Sequence, residues 1–181
     1  MNIKETKLKG CFIIEPMLFK DNRGLFYESY KKDEIENRLG ERIDFVQDNV
    51  SVSKKGVLRG LHYQKGIHAQ AKLVQVLKGE ALDVAVDLRK DSATYGQHFK
   101  TKLSEYNCNS LFIPKGMAHG FLALTEEVIF TYKCDNYYNP KAEGGIIYND
   151  LDLNIDWEIP PESLILSKKD LILPALRNLT L

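Results

Sequence analysis

Apolar and polar residues alternate with period two over much of the chain. Leu82, Val84, Val86 and Leu88 alternate with Asp83, Ala85, Asp87 and Arg89, the pattern of a strand with one apolar face. Upstream, Val74 and Val76 share parity with Lys72, and Lys78-Gly79 between the two runs predicts a hairpin turn. Val128, Phe130, Tyr132 and Cys134 fall on one face of a further strand, with Ile129, Thr131 and Lys133 on the other. Helical periodicity is scarce. Lys32–Leu39 fits a short helix closed by Gly40. Ser167–Leu173 fits a second, with Ser167 as N-cap and Pro174 as its stop. Many short strands and two short helices predict an all-β jelly-roll barrel, a two-sheet fold that can hold a ligand in its mouth.

The period carries a chemical consequence. If Val74 and Val76 face the barrel interior, so does Lys72; if Val128 and Phe130 face it, so does Tyr132. A buried lysine and a buried tyrosine each need polar partners. The pattern alone leaves open the alternative, in which Lys72 snorkels to the surface and Tyr132 is a core aromatic with one bonded hydroxyl.

Length and charge narrow the class. The chain has 181 residues, which suits one domain over 1–181. Lys plus Arg and Asp plus Glu each number 25, so the basic excess of a nucleic-acid binder is missing. Residues Met1–Lys20 mix Lys4, Glu5, Lys7 and Lys9 with an apolar stretch of only Cys11–Ile14, so no secretory signal is expected. No apolar run is long enough to span a bilayer as a helix. The expectation is a cytoplasmic protein without a membrane partner. Cys11, Cys108 and Cys134 lack metal-like spacing and read as reduced thiols.

The four histidines are His62, His68, His98 and His119. Pro114-x-Gly116-x-x-His119 is half of the bipartite cupin signature. In the other half, His62-Tyr63-Gln64 lacks the second histidine, and Lys72 stands seven residues before Gly79, where a glutamate ligand is expected. An ammonium among neutral imidazoles repels a divalent cation. The fold expected is therefore cupin-like, with the metal pocket turned into an acid–base pocket, no metal and no cofactor. His68 and His98 sit in polar, turn-like contexts and read as structural.

Several segments together resemble one family, the dTDP-4-dehydrorhamnose 3,5-epimerases. They are Asp21-x-Arg23-Gly24-x-Phe26 with Glu28, Phe45-Val-Gln-Asp-Asn49, Leu58-Arg-Gly-Leu-His62, Ala69-Gln-Ala-Lys72 and Ile113–Phe121. Tyr132-Lys133, Asn136-Tyr137-Tyr138, Glu143-Gly144, Asp156-Trp157 and Leu166–Asp170 continue the match in order. Met117 and Ile147-Tyr148 depart from the usual aromatic positions. The resemblance implies an isomerase that inverts C3 and C5 of dTDP-4-dehydro-6-deoxy-D-glucose, giving dTDP-4-dehydro-L-rhamnose for cell-surface polysaccharide. It implies that His62 is the base, oriented by Asp170, that Tyr132 is the acid, and that Lys72 lies near the ketone oxygen. Tyr138 would stack on thymine. Arg23, Phe26, Glu28, Gln47, Asp48, Asn49, Arg59, His119, Glu143 and Lys169 would hold the nucleotide sugar. It further implies a homodimer with exchanged N-terminal strands, so that the Arg23–Glu28 segment completes the neighbour's site.

The residue types suit that chemistry. C–H bonds beside a ketone are weakly acidic, and a positioned imidazole works near neutral pH. A carboxylate on its other nitrogen fixes the tautomer. An ammonium stabilises the developing enolate, and inversion needs an acid on the opposite face. Arg23 and Arg59 suit a diphosphate. The competing readings are a single-site C3- or C5-epimerase, a 3,4-ketoisomerase, a metal-dependent cupin oxygenase and a nucleotide-sugar-binding barrel without catalysis.

Overall fold

The computed structural model describes residues 1–179; the last two residues of the expected domain lie outside those described. In chain order the strands are β1 (Asn2–Glu5), β2 (Phe12–Glu15), β3 (Phe19–Asp21), β4 (Gly24–Phe26), β5 (Gln47–Lys54), β6 (Leu58–Gln64) and β7 (Lys72–Lys78). They continue as β8 (Glu80–Asp87), β9 (His98–Ser104), β10 (Ser110–Ile113), β11 (Met117–Ala123), β12 (Glu127–Cys134) and β13 (Glu143–Gly145). Two antiparallel sheets face each other. One has the order β1-β2-β10-β7-β12-β5, the other β13-β6-β11-β8-β9, and β3-β4 form a separate hairpin. The architecture is the all-β jelly roll that the alternation predicts and is cupin-like, as the Pro114–His119 motif leads one to expect.

Alternation fills the space between the sheets. Val74 and Val76 of β7 and Val128 and Phe130 of β12 meet Phe121 of β11 there, and Phe121 stacks on Phe130 with ring centroids 4.0 Å apart. Tyr132 packs against the same cluster. Lys72 and Tyr132 thus follow their parity partners inward.

The alternation of β8 has the opposite outcome. Leu82, Val84 and Val86 point away from the barrel interior and form a second core with Ile146, Leu153 and Trp157 of the C-terminal segment. Trp157 Nε1 donates to the Tyr148 carbonyl at 2.9 Å, which ties that segment down. Ala81, Ala85 and Asp83 are left facing inward, all without solvent exposure. β8 is buried on both faces because β11 and β9 flank it and the C-terminal segment covers it.

Two local expectations need correction. Lys78-Gly79 is not a hairpin turn: β7 and β8 belong to different sheets, and Gly79 carries the chain across the corner. Its φ is 78°. A Cβ there would stand 2.3 Å from the Glu127 carbonyl oxygen, so only glycine fits. The Ser167–Leu173 segment is not an α-helix. It forms one 3₁₀ turn at Asp170–Ile172, with Ser167 Oγ accepting from the Asp170 N–H at 3.1 Å. With Pro174 so close, no second turn can follow.

The first helix is as predicted. α1 spans Lys32–Leu39, and Gly40 closes it at φ 76° with its N–H on the Glu36 carbonyl. Ile35 anchors α1 in a third cluster with Phe12, Leu73 and Phe112, on the outer side of the six-stranded sheet. The three cysteines are buried and unpaired. His68 hydrogen-bonds Asn139 at 2.9 Å.

Candidate active site

β6 and β11 bring two histidines together. Gly60 permits the close approach, since a Cβ there would stand 2.5 Å from Gly120 Cα. His62 and His119 are direct register partners across this pair. His62 Nε2 lies 2.8 Å from Asp170 Oδ1, and Asp170 is only 4% exposed. The carboxylate comes from the 3₁₀ turn, 108 residues along the chain. A carboxylate can only accept, so Nε2 carries the hydrogen and Nδ1 presents its lone pair. Burial holds the His62 pKa below its ordinary value, with the charge of Asp170 opposing. The ring is therefore a neutral base near pH 7.

The opposite wall supplies the other groups. Tyr132 and Lys72 belong to the six-stranded sheet, where Cys134 of β12 is the register partner of Lys72. Lys72 Nζ lies 5.9 Å from the Tyr132 ring centroid. Burial pushes the Tyr132 phenol upward, so it keeps its proton. Burial pushes the Lys72 ammonium downward, while Asp83 and Glu143 act to restore it. Because facing sheets are about 10 Å apart, a small ring between these walls has His62 on one side and Tyr132 on the other.

Two adjoining compartments, of about 510 and 330 Å³, share His62, Lys72 and Tyr132 on their walls. Arg59, His119, Lys169 and Asp170 line the larger one. Gln47, Asn49, Tyr138 and Glu143 line the smaller one. Tyr138 donates its hydroxyl hydrogen to Glu143 Oε2 at 2.8 Å, and Lys169 forms an ion pair with the same carboxylate. Burial works against the Glu143 carboxylate, but these two partners outweigh it and hold its pKa below the usual range. Arg59 Nε is anchored on Ser53 Oγ at 3.1 Å.

Four expected residues are not gathered. Arg23 and Phe26 sit in the β3-β4 hairpin, where Arg23 pairs with Asp21 at 2.6 Å and Phe26 is 67% exposed. Glu28 faces Lys31 in an exposed pair. Asp48 lies on the outer face of β5 and pairs with Lys133 at 2.9 Å. Period two turns it away from the cavity that Gln47 and Asn49 line. One residue was missed in the sequence. Asp83 Oδ1 lies 2.7 Å from His119 Nε2, a second histidine–carboxylate pair at the same cavity. Among the described residues no three His, Cys, Asp or Glu side chains are grouped to hold a metal ion. No helix among them is long and apolar enough to cross a membrane.

Comparison with known proteins gives one result. The family model described as dTDP-4-dehydrorhamnose 3,5-epimerase matches residues 5–178. A Salmonella typhimurium protein of that name is 48% identical over 178 residues, 97% of this chain and 96% of the relative. The crystal structure of an Elizabethkingia anophelis enzyme of that name superposes with a TM-score of 0.95 at 52% identity, covering 98% of this chain and 97% of the other. A Legionella pneumophila 3,5-epimerase, solved in complex with dTDP-4-keto-L-rhamnose, superposes with a TM-score of 0.94 at 47% identity, covering 99% and 94%.

Proposed function

The chain belongs to the dTDP-4-dehydrorhamnose 3,5-epimerase family, and from that premise we propose how its residues divide the reaction. The protein is an isomerase of dTDP-L-rhamnose biosynthesis. It inverts C3 and C5 of dTDP-4-dehydro-6-deoxy-D-glucose to give dTDP-4-dehydro-L-rhamnose. His62 Nδ1 removes the proton beside the C4 ketone, and the C–H electron pair moves into an enolate whose negative charge rests on O4. Lys72 faces that oxygen and stabilises the charge where water is scarce. Tyr132 delivers a proton to the other face of the same carbon, and inversion is complete. His62 releases its extra proton to solvent and Tyr132 regains one from it, and the second carbon follows the same course. The single observation that carries this reading is the placement of a carboxylate-anchored imidazole and a protonated phenol on facing sheets.

The remaining groups bind. Arg59 and Lys169 take the diphosphate as fork and point charge. Tyr138 stacks on the base, held by Glu143. Gln47, Asn49 and His119 hold the rest of the nucleotide sugar. The protein works in the cytoplasm, as one jelly-roll domain, and as a homodimer. In that dimer the β3-β4 hairpin lends Arg23, Phe26 and Glu28 to the partner's cavity. The hairpin's exposed Phe19, Leu25 and Phe26 support this reading, because apolar groups left in water favour a covering surface.

The test is turnover of dTDP-4-keto-6-deoxy-D-glucose in D₂O, read by NMR. Deuterium enters both C3 and C5. Label at one carbon only identifies a single-site epimerase, and tight binding without label identifies a binding barrel. His62→Ala abolishes exchange. Tyr132→Phe retains part of the exchange and loses full inversion. Exchange in His62→Ala equal to the parent's overturns the assignment of the base.

A further inference from the structure

We propose that Asp83 is a positioning residue whose buried carboxylate holds the His119 ring and supplies the negative charge that keeps Lys72 an ammonium inside the cavity. Three observations meet here. Asp83 is on β8, between β11 and β9 of the five-stranded sheet, and faces the interior with no solvent exposure. Its Oδ1 is taken by His119 Nε2 at 2.7 Å, while its Oδ2 has no hydrogen-bond partner among the described residues. Lys72, on the wall opposite, forms no salt bridge with a carboxylate among them, although it lines both compartments. A carboxylate buried with one oxygen unpaired is costly. A cation across the cavity offsets that cost through space, where the low dielectric strengthens the attraction.

The other groups around Lys72 do not replace Asp83. Cys134 of β12 is closest in register, but burial raises its thiol, so it is uncharged near pH 7. Tyr132 keeps its proton for the same reason. Glu143 of β13 is already bridged by Lys169 and bonded by Tyr138. Asp170 is committed to His62 of β6. Arg59 and Lys169 are cations and oppose the ammonium. β5 presents the neutral Gln47, Asn49 and Ser51, and β10 places Ile113 beside Lys72. Asp83 is the carboxylate acting on Lys72 that has no lysine or arginine partner among the described residues.

The consequence for rate rests on the role proposed for Lys72 at the ketone oxygen; the consequence for its charge does not. Asp83→Asn keeps an oxygen that accepts from His119 Nε2–H and removes the charge. Burial then acts on Lys72 with the Lys169-bridged Glu143 as the remaining carboxylate against it, so its proton is lost at lower pH. The experiment is trace acetylation of the intact protein with acetic anhydride across a pH series, with the Lys72 peptide read by mass spectrometry. In the parent the midpoint of Lys72 reactivity lies below the ordinary lysine value, and the side chain is still largely protected from acetylation at neutral pH. In Asp83→Asn it falls by about one pH unit or more, and in Asp83→Glu it returns toward the parent's. The alkaline limb of kcat moves in parallel. Equal midpoints in the parent and Asp83→Asn overturn the proposal. So does a parent Lys72 that is already fully reactive at neutral pH, a result that needs no variant to fold. Labelling requires no turnover, so a shifted midpoint in a protein that exchanges no deuterium rejects the reaction and leaves the charge pairing standing.

Discussion

The cavity and the Phe19–Phe26 hairpin hold their polar side chains in opposite ways. In the cavity several groups are fixed by a neighbour far along the chain: His62 by Asp170, His119 by Asp83 and Glu143 by Lys169. In the hairpin, Arg23 pairs with Asp21, two residues away, and is 86% exposed. Fixed geometry is what proton transfer demands, because the base must be aligned before the substrate arrives. Binding a flexible diphosphate tolerates groups that are ordered on contact. The contrast predicts that loosening the cavity lowers kcat and that trimming the hairpin raises KM.

The largest effect should come from loosening the cavity without emptying it. Asp170→Asn leaves a partner for His62, but an amide donates as well as accepts, so the tautomer is no longer fixed. By analogy with other histidine–carboxylate pairs, kcat should fall on the order of 10³–10⁴-fold while the thermal midpoint stays close to the parent's. A variant that unfolds instead would mean that the turn, not the tautomer, depends on Asp170.

A smaller effect is expected at the hairpin. Arg23→Ala should raise KM roughly tenfold or more, with kcat little changed. Mixing makes the comparison sharper. In a dimer of one His62→Ala protomer and one Arg23→Ala protomer, the second keeps its own base and receives the partner's Arg23. Unfolding and refolding the two together should restore about a quarter of parental sites, by random pairing. No recovery on mixing would confine Arg23 to its own chain.

The pH dependence divides the regions again. The proposed base His62 must be neutral to act, and burial lowers its pKa, so the acid limb of kcat/KM is expected below the ordinary histidine value, falling tenfold per pH unit beneath it. Asp170→Asn removes a charge that favours imidazolium, so this limb moves lower still. The hairpin adds no limb, because Asp21 raises Arg23 further above its already high value. An acid limb that moves upward in Asp170→Asn would mean that Asp170 does not act on His62.

Period two made Lys72 and Tyr132 legible as inward residues, because Val74, Val76, Val128 and Phe130 fix the face of each strand. It failed at β8, where Leu82, Val84 and Val86 serve a second core and the polar parity turned out to be the cavity side. Asp83 was missed for that reason: an acidic residue among valines reads as solvent-facing unless both faces of the strand are known to be covered. The Lys78-Gly79 corner looks like a hairpin because glycine serves both, and sheet membership is decided by strands far along the chain. The His62–Asp170 contact leaves no local trace, and its expectation rested on family resemblance alone. The split of Arg23, Phe26 and Glu28 from the cavity likewise leaves no local trace, and its expectation came from the same resemblance.

The smallest effect is expected at Asp48, which tests the period itself. Gln47, Asp48 and Asn49 are consecutive, and the resemblance treats them as one binding segment. In the fold the strand separates them: Gln47 and Asn49 line the smaller compartment, and Asp48 turns outward to Lys133 with 62% of its side chain exposed. An exposed ion pair contributes little and is screened by salt. Asp48→Ala should therefore change kcat/KM by less than about twofold, whereas Gln47→Ala removes the side chain that accepts from the Tyr138 N–H and should raise KM by several-fold, roughly the loss of one hydrogen bond. Steady-state kinetics on the two variants under one buffer decides the matter. If Asp48→Ala proves the more damaging, its outward face meets substrate or partner in the working enzyme, and the division between fixed cavity and exposed periphery must be redrawn to include β5.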